Sequence, residues 1–364
     1  MFTELNIQNF KSLENVSLKL QRVNLLIGPN NSGKSNLLKA IEFPFGINAR
    51  YETVGESLFT SPEIFERLLH KQTTNQRISI EIKGENLITK GWEVNFKMDW
   101  FGGSNFHPVL QMFVLEESKL SNPLIGLDAL GFMHTHLYGS LASHSPNPAI
   151  FSQPAETAII TELSRDCSNL IGFLFNIREY HPQNFRQIEH ELKRCVGDFS
   201  YIRLPLKKIE DNRTGLELIF MNEKGDNYRA DEVSEGVLYF LALLCIVLQP
   251  NPPKLILLEE PERGIHPRRI SEVMQFIFDL AQEKDVQIIL TSHSPEVLDE
   301  FKDRTNAVFV FDKDERGATQ IKNLQTDIID VEDQQRIQGN LPPIRFTDGL
   351  GEFWKVGFLG GVPL

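Results

Sequence analysis

Cysteine is scarce, with only Cys167, Cys195 and Cys245 in 364 residues. Their spacing fits no metal-ligand pattern, which excludes a zinc ribbon, and their odd number excludes a fully paired disulfide framework. They read as core thiols of a chain kept reduced, and hence cytoplasmic. Long hydrophobic runs are also missing: no stretch reaches the length of a membrane span, and the first residues lack the basic start and apolar block of a signal peptide. A membrane partner is therefore not expected. Positive charge is in deficit, with 37 Lys and Arg against 49 Asp and Glu and a net charge of −12. Such a chain does not bind nucleic acid through its average field, although a local basic patch leaves DNA binding possible. Internal repeats and sustained heptads are absent, which excludes a solenoid and a long coiled-coil arm.

What is present is an ordinary globular composition, 41% hydrophobic and 24% charged. The start, "TELNIQNF" and "LENVSLKL", alternates as two short strands joined at Lys11-Ser12. "VNLLI" (residues 23–27) is apolar enough for a buried strand, and "KSNLLKAIEF" follows as a helix stopped by Pro44. "RISIEIKG" and "WEVNFKMDW" predict an antiparallel pair. Residues 46–75 look loop-like, and from about Phe101 to Pro154 the texture is irregular. "AETAIITELSRDCSNLIGFLF" and "NFRQIEHELKRCV" predict helices, and "GLELIFMNEKGDNYRA" a hairpin. "SEGVLYFLALLCIVLQ" and "RRISEVMQFIFDLAQEK" predict helices around the buried strand "KLILLEE". "VQIILTSHSP" is a third buried strand, "AVFVFDKDERGATQIKNL" a hairpin, and the Gly/Pro-rich tail an extended segment docked on the core. The expected organisation is a core in two parts, 1–100 and 201–330, a helical or irregular insertion at 101–200, and a tail at 331–364.

"LIGPNNSGKSN" fits G-x-x-x-x-G-K-[ST] through Gly28, Gly33, Lys34 and Ser35. The glycines allow a tight turn whose backbone N–H groups face phosphate, and the following helix adds its positive end. Gly28, Asn30, Asn31, Ser32, Gly33, Lys34, Ser35 and Asn36 are the candidate nucleotide contacts, with Lys34 reaching the β- and γ-phosphates and Ser35 binding Mg²⁺. The competing reading is a glycine-rich turn with no ligand; the flanking buried strand and helix favour the phosphate loop. Such a loop needs a second acid on the metal, at the end of a neighbouring strand. Glu259 supplies it and Glu260 orients the attacking water, which gives both adjacent carboxylates a partner. The alternative is a strand that simply ends in solvated glutamates.

"SEGVLYFLALL", "LILLEEPERGIHP" and "TSHSP" follow in the order of signature helix, Walker B strand and switch histidine. With the opening "LNIQNFKSLENVSL", the set resembles the RecF/SMC-type branch of the ABC ATPases, close to stand-alone RecF-like ATPases and the ATPase module of OLD-family proteins. The resemblance covers about residues 1–45 and 200–325. It implies an α/β fold: a P-loop ABC-type ATPase head with a mixed sheet, antiparallel N-terminal strands and a mostly helical insertion. It assigns Lys34 and Ser35 to Walker A, Glu259 to the Walker B acid, Glu260 to the catalytic base and His293 to γ-phosphate sensing. Ser234 and Gly236 match the signature that contacts the ATP of a second protomer, so the resemblance implies an ATP-bridged homodimer or higher oligomer. Gln183 is a candidate Q-loop residue and Arg186 a candidate phosphate contact. Two departures stand out: Glu259 where the family usually has Asp, and Glu235 within a signature that more often reads S-G-G.

Other signals are weaker. Asp312 and Asp314 form the D-x-D of OLD-type nucleases, but the remaining chain is short for that domain, and a charged hairpin tip explains them. His134, His136 and His144 mimic a metal site without an acidic or cysteine partner nearby. No N-K-x-D motif follows the phosphate loop, against a GTPase. The expected function is an ATPase that takes ATP and Mg²⁺ and couples slow hydrolysis to a separate effector, a nuclease among the candidates, in phage defence or DNA metabolism. The alternative is a nucleotide-gated scaffold in which hydrolysis only resets the state.

Overall fold

The computed structural model describes residues 1–43, 66–71, 77–85, 92–101, 108–116, 119–120, 124–125, 141–144, 146–151, 155–156, 160, 162–208, 214–250, 252–263 and 265–362. The expected loop at 46–75 lies mostly outside them. The chain forms two compact units, one of residues 1–141, 253–257 and 286–364, the other of 142–252 and 258–285.

The first unit holds two sheets. One is the antiparallel order Leu13–Lys19, Phe2–Phe10, Arg77–Glu85, Trp92–Phe101, Pro108–Glu116. Alternation builds its core face: Leu5 and Ile7 are fully buried while Glu4 and Asn6 are half-exposed. Lys11, at the join between the first two strands, has φ 52°. The strand Pro108–Glu116 lies in a stretch whose sequence looks irregular; its pairing with Trp92–Phe101 extends the sheet. In the other sheet, Val23–Ile27 is the central strand, parallel to Gln287–Ser292 on one side and to Val308–Lys313 on the other. Leu255–Glu259 follows Gln287–Ser292 in the order, and Thr319–Asn323 closes the opposite edge as an antiparallel hairpin. This is the mixed α/β arrangement the motif order implies. Buried polar side chains in this sheet are satisfied locally. Asn24 bonds both the N–H and the carbonyl of Gln21 at 2.7 Å. Gln287 holds the first strand through Phe2, accepting its N–H at 2.8 Å and donating to its carbonyl at 2.7 Å.

The tail departs from an extended form. Its residues include helices Asp330–Gln338 and Leu350–Lys355. Trp354 is buried and donates through Nε1 to the Gly361 carbonyl at 3.1 Å. Docking is tight at Gly361, where a Cβ would meet the Phe311 carbonyl at 2.8 Å and Gly28 Cα at 3.7 Å.

The second unit packs helices Leu170–Tyr180, Pro182–Val196, Glu235–Leu248 and Ile270–Glu283 with two small antiparallel sheets. Glu235–Leu248 is apolar on nearly every face because it is the buried helix of this unit. The helix expected from Ala155 begins only at Leu170. Ala155–Glu156 pairs instead with Thr214–Leu216. Between them, polar side chains capture the backbone: Asn169 Oδ1 accepts the Ser164 N–H at 2.9 Å, and Asp166 Oδ1 accepts the Ser168 N–H at 3.0 Å. Such local bonds compete directly with helical ones.

Candidate functional site

In the first unit the phosphate loop leaves the strand Val23–Ile27 and enters a helix at residues 34–43. Two of its glycines are dictated by space as well as by backbone angle. Gly28 has φ 154°, and a Cβ there would lie 2.4 Å from the Phe311 carbonyl. Gly33 has φ 112°, and a Cβ would lie 2.1 Å from Thr319 Oγ1. Asn31 also adopts a left-handed φ of 65°. Lys34 is buried, and its ammonium is held by the loop's own oxygens: Gly28 O at 2.7 Å and Pro29 O at 2.8 Å. His293, just beyond the strand Gln287–Ser292, donates through Nδ1 to the same Gly28 carbonyl at 2.8 Å. That bond leaves Nε2 as the acceptor nitrogen of the neutral ring. Thr319 Oγ1 lies 2.9 Å from the Ser32 carbonyl and 2.7 Å from Ser12 Oγ, and Asn36 donates to Ser12 Oγ at 2.8 Å. Gly28, Ser32, Gly33, Lys34, Asn36 and His293 therefore form one bonded cluster, with Asn30, Asn31 and Ser35 exposed on it.

Glu259, Glu260, Ser234 and Gly236 belong to the second unit. Glu259 ends the strand Leu255–Glu259; its carbonyl accepts the Tyr239 hydroxyl at 2.7 Å and its Oε1 accepts Arg165 Nη2 at 3.0 Å. Burial, then the nearby Glu262 charge, holds the Tyr239 hydroxyl well above its ordinary pKa, so it donates throughout the physiological range. Glu260 sits at φ 49°, an uncommon angle for a residue with a side chain, and its carbonyl accepts the Arg263 N–H at 2.9 Å. Backbone of this kind persists where the surroundings over-determine it and is frequent at functional sites. Ser234 caps helix Glu235–Leu248, accepting the Val237 N–H at 3.4 Å; Ser234 and Glu235 are exposed and Gly236 is buried. Gln183 and Arg186 are exposed on the first turns of helix Pro182–Val196.

Taken singly, the Ser35 hydroxyl of the first unit and the Glu259 carboxylate of the second are hard oxygen donors of the kind Mg²⁺ takes; in this structure Glu259 has a cation beside it, the Arg165 guanidinium.

The other candidates resolve into structure. Asp312 accepts the Lys313 N–H at 2.8 Å and the Gly361 N–H at 3.4 Å, and Asp314 accepts from the N–H groups of Arg316 and Ala318. His144 is buried, and burial pushes its pKa down to about 4; His134 and His136 lie outside the described residues. Among the described residues no group of three or more His, Cys, Asp or Glu side chains is placed to hold a metal ion. All three cysteines are buried, with burial pushing Cys167 up to about 12 and Cys195 to about 11. Among the described residues no helix is long and apolar enough to cross a membrane. Sequence reasoning missed Arg165, Tyr239, Ser12 and Thr319. Arg165 and Thr319 reach the site from outside the quoted motifs, and Ser12 and Tyr239 lie within quoted stretches at positions with no spacing signature of their own.

A strand–loop–helix phosphate cradle on a mixed sheet, with a histidine bonded into it, defines a P-loop ATPase-type module of the ABC kind. In sequence and fold the chain is similar to ABC-type ATPases of the RecF/OLD-like group. A family model described as "AAA domain" matches residues 4–153, and one described as "AAA domain, putative AbiEii toxin, Type IV TA system" matches residues 153–299. An OLD nuclease of Thermus scotoductus is 21% identical over 81% of this chain and 59% of its own length. Endonuclease GajA of Bacillus cereus is 23% identical over 85% of this chain and 58% of its own. The chain thus spans somewhat under two thirds of these relatives. The SMC head bound to the C-winged helix domain of ScpA shares the fold, with a TM-score of 0.58, 17% identity, and coverage of 88% of this chain and 96% of that one.

Proposed function

We propose that the chain binds Mg-ATP on the loop Gly28–Asn36 and hydrolyses it slowly, as the ATPase part of an assembly whose effector is a separate protein. The observation that carries this is the bonded cluster of Lys34 and His293 on the single Gly28 carbonyl. A lysine held by replaceable loop oxygens can transfer to phosphate oxygens, and the histidine on the same carbonyl registers the change. In this reading Ser35 of the first unit and Glu259 of the second would be the magnesium ligands, and the ion when bound would neutralise phosphate charge. Glu260, at its left-handed backbone position, would take a proton from the attacking water. His293 Nε2, left as the acceptor nitrogen, would be the atom available to sense the terminal phosphate. Ser234 and Gly236 serve the nucleotide of a second copy, so ATP joins two chains. The nuclease names among the relatives favour DNA metabolism or phage defence as the setting, with any cleavage performed by the effector.

The test pairs two variants. Lys34→Ala should abolish binding of a fluorescent ATP analogue. Glu260→Gln should bind it normally, lose turnover by at least a hundredfold and accumulate the nucleotide-bound state. A Lys34→Ala protein that binds like wild type would overturn the assignment. A Glu260→Gln protein that keeps or exceeds the biological activity while hydrolysis is lost would favour the nucleotide-gated scaffold.

A further inference from the structure

Arg165 belongs to none of the sequence motifs, yet its guanidinium lies 3.0 Å from Glu259 Oε1. It is also one wall of a cavity of about 790 Å³ in the second unit, lined by Pro146, Asn147, Arg165, Asp166, Glu235 and Arg263 among others. Glu235 is the acid that interrupts the usual signature pattern. We propose that Arg165 is a positioning residue that exchanges between two carboxylates. It holds Glu259 before metal arrives, and turns into the cavity toward Glu235 when Mg²⁺ takes Glu259. The inference rests on the Mg-ATP reading above.

The physical case has three parts. A guanidinium and a divalent cation on one carboxylate repel each other and compete for its lone pairs, so metal at Glu259 weakens the hold on Arg165. Arg165 is 48% exposed and Glu259 27%, so their pair is weak enough to open. A displaced arginine needs another anion. Asp166 is already engaged by the Ser164 hydroxyl and the Ser168 N–H, which leaves Glu235 as the cavity's other carboxylate. Glu235 thereby gains a role that a glycine at that position could not fill, and the extra reach of Glu259 over aspartate lets one side chain serve both cations.

The experiment is a Mn²⁺ titration of the full chain with a saturating non-hydrolysable ATP analogue, bound metal being read by electron paramagnetic resonance. Arg165→Gln should lower the half-saturating Mn²⁺ concentration by roughly two- to fivefold, the scale of a partly exposed ion pair. Arg165→Lys should return it toward wild type. Glu235→Gln, which removes the second partner, should raise it, and the Arg165→Gln/Glu235→Gln double variant should match Arg165→Gln alone. An unchanged Arg165→Gln midpoint, or independent effects of the two substitutions, would overturn the proposal. A wild type that binds the analogue while Arg165→Gln does nothing defeats only this inference; a wild type that binds no analogue defeats the ATPase reading itself.

Discussion

At the scale of single residues, His144 shows what burial alone can do. Its Nδ1 lies 3.4 Å from the Ser164 carbonyl and 4.0 Å from Cys167 Sγ, and its Nε2 is buried with no hydrogen-bond partner among the described residues. Burial pushes its pKa down to about 4 against an ordinary 6.5. The unfolded chain therefore binds a proton more readily than the folded one. The stability this neutral histidine permits is complete above pH 6.5 and is lost as pH falls through about 4. The full swing is about 3 kcal/mol. Urea denaturation at pH 7 and pH 4.5 should show wild type losing about 2 kcal/mol more than His144→Gln between the two conditions. An equal loss in both proteins would mean the ring is not held neutral.

Elements were unevenly legible, and the reasons are local. Strands such as Val23–Ile27 and Gln287–Ser292 could be read because every position is buried and most are apolar, with Asn24 and Gln287 the polar exceptions ahead of the polar exit. The tight turn from strand to helix was legible because its glycines answer to geometry: the carbonyl of Phe311 and the hydroxyl of Thr319 leave no room for a Cβ. The helix from Ala155 was misread because "SRDCSN" bonds its own backbone, a competition that hydrophobic periodicity does not register. Arg165 was invisible because an ion pair 94 positions away leaves no pattern. The tail was read as extended from its glycines, but Gly361 is there for close approach: its φ is 63°, and a Cβ would meet Val310 Cγ1 at 2.7 Å. Gly361→Val should therefore release the docked end at a cost of about 1–3 kcal/mol. Hydrogen exchange should quicken across residues 349–362 while the strand Arg77–Glu85 keeps its protection. Unchanged exchange in the tail would show that the contact carries no stability.

At the scale of the whole molecule, net charge sets the terms for assembly. Each chain carries −12, so two copies repel and a dimer needs a specific, short-range bridge. Nucleotide supplies it in the proposed reading, through Ser234 and Gly236 of one copy and the phosphate loop of the other. Ser234 is exposed at the start of helix Glu235–Leu248, so a longer side chain there meets open solvent and costs only the helix cap, about 1 kcal/mol. Ser234→Arg should keep the helix, bind a fluorescent ATP analogue as wild type does, and stay monomeric in light scattering. Glu260→Gln with ATP should double in mass. Because repulsion between like-charged copies is screened by salt, the dimer fraction should hold or rise from low to physiological ionic strength. Binding to a DNA phosphate backbone would weaken over the same range. A wild type that is monomeric with and without ATP at every salt concentration would remove the dimer and leave a single-chain ATPase.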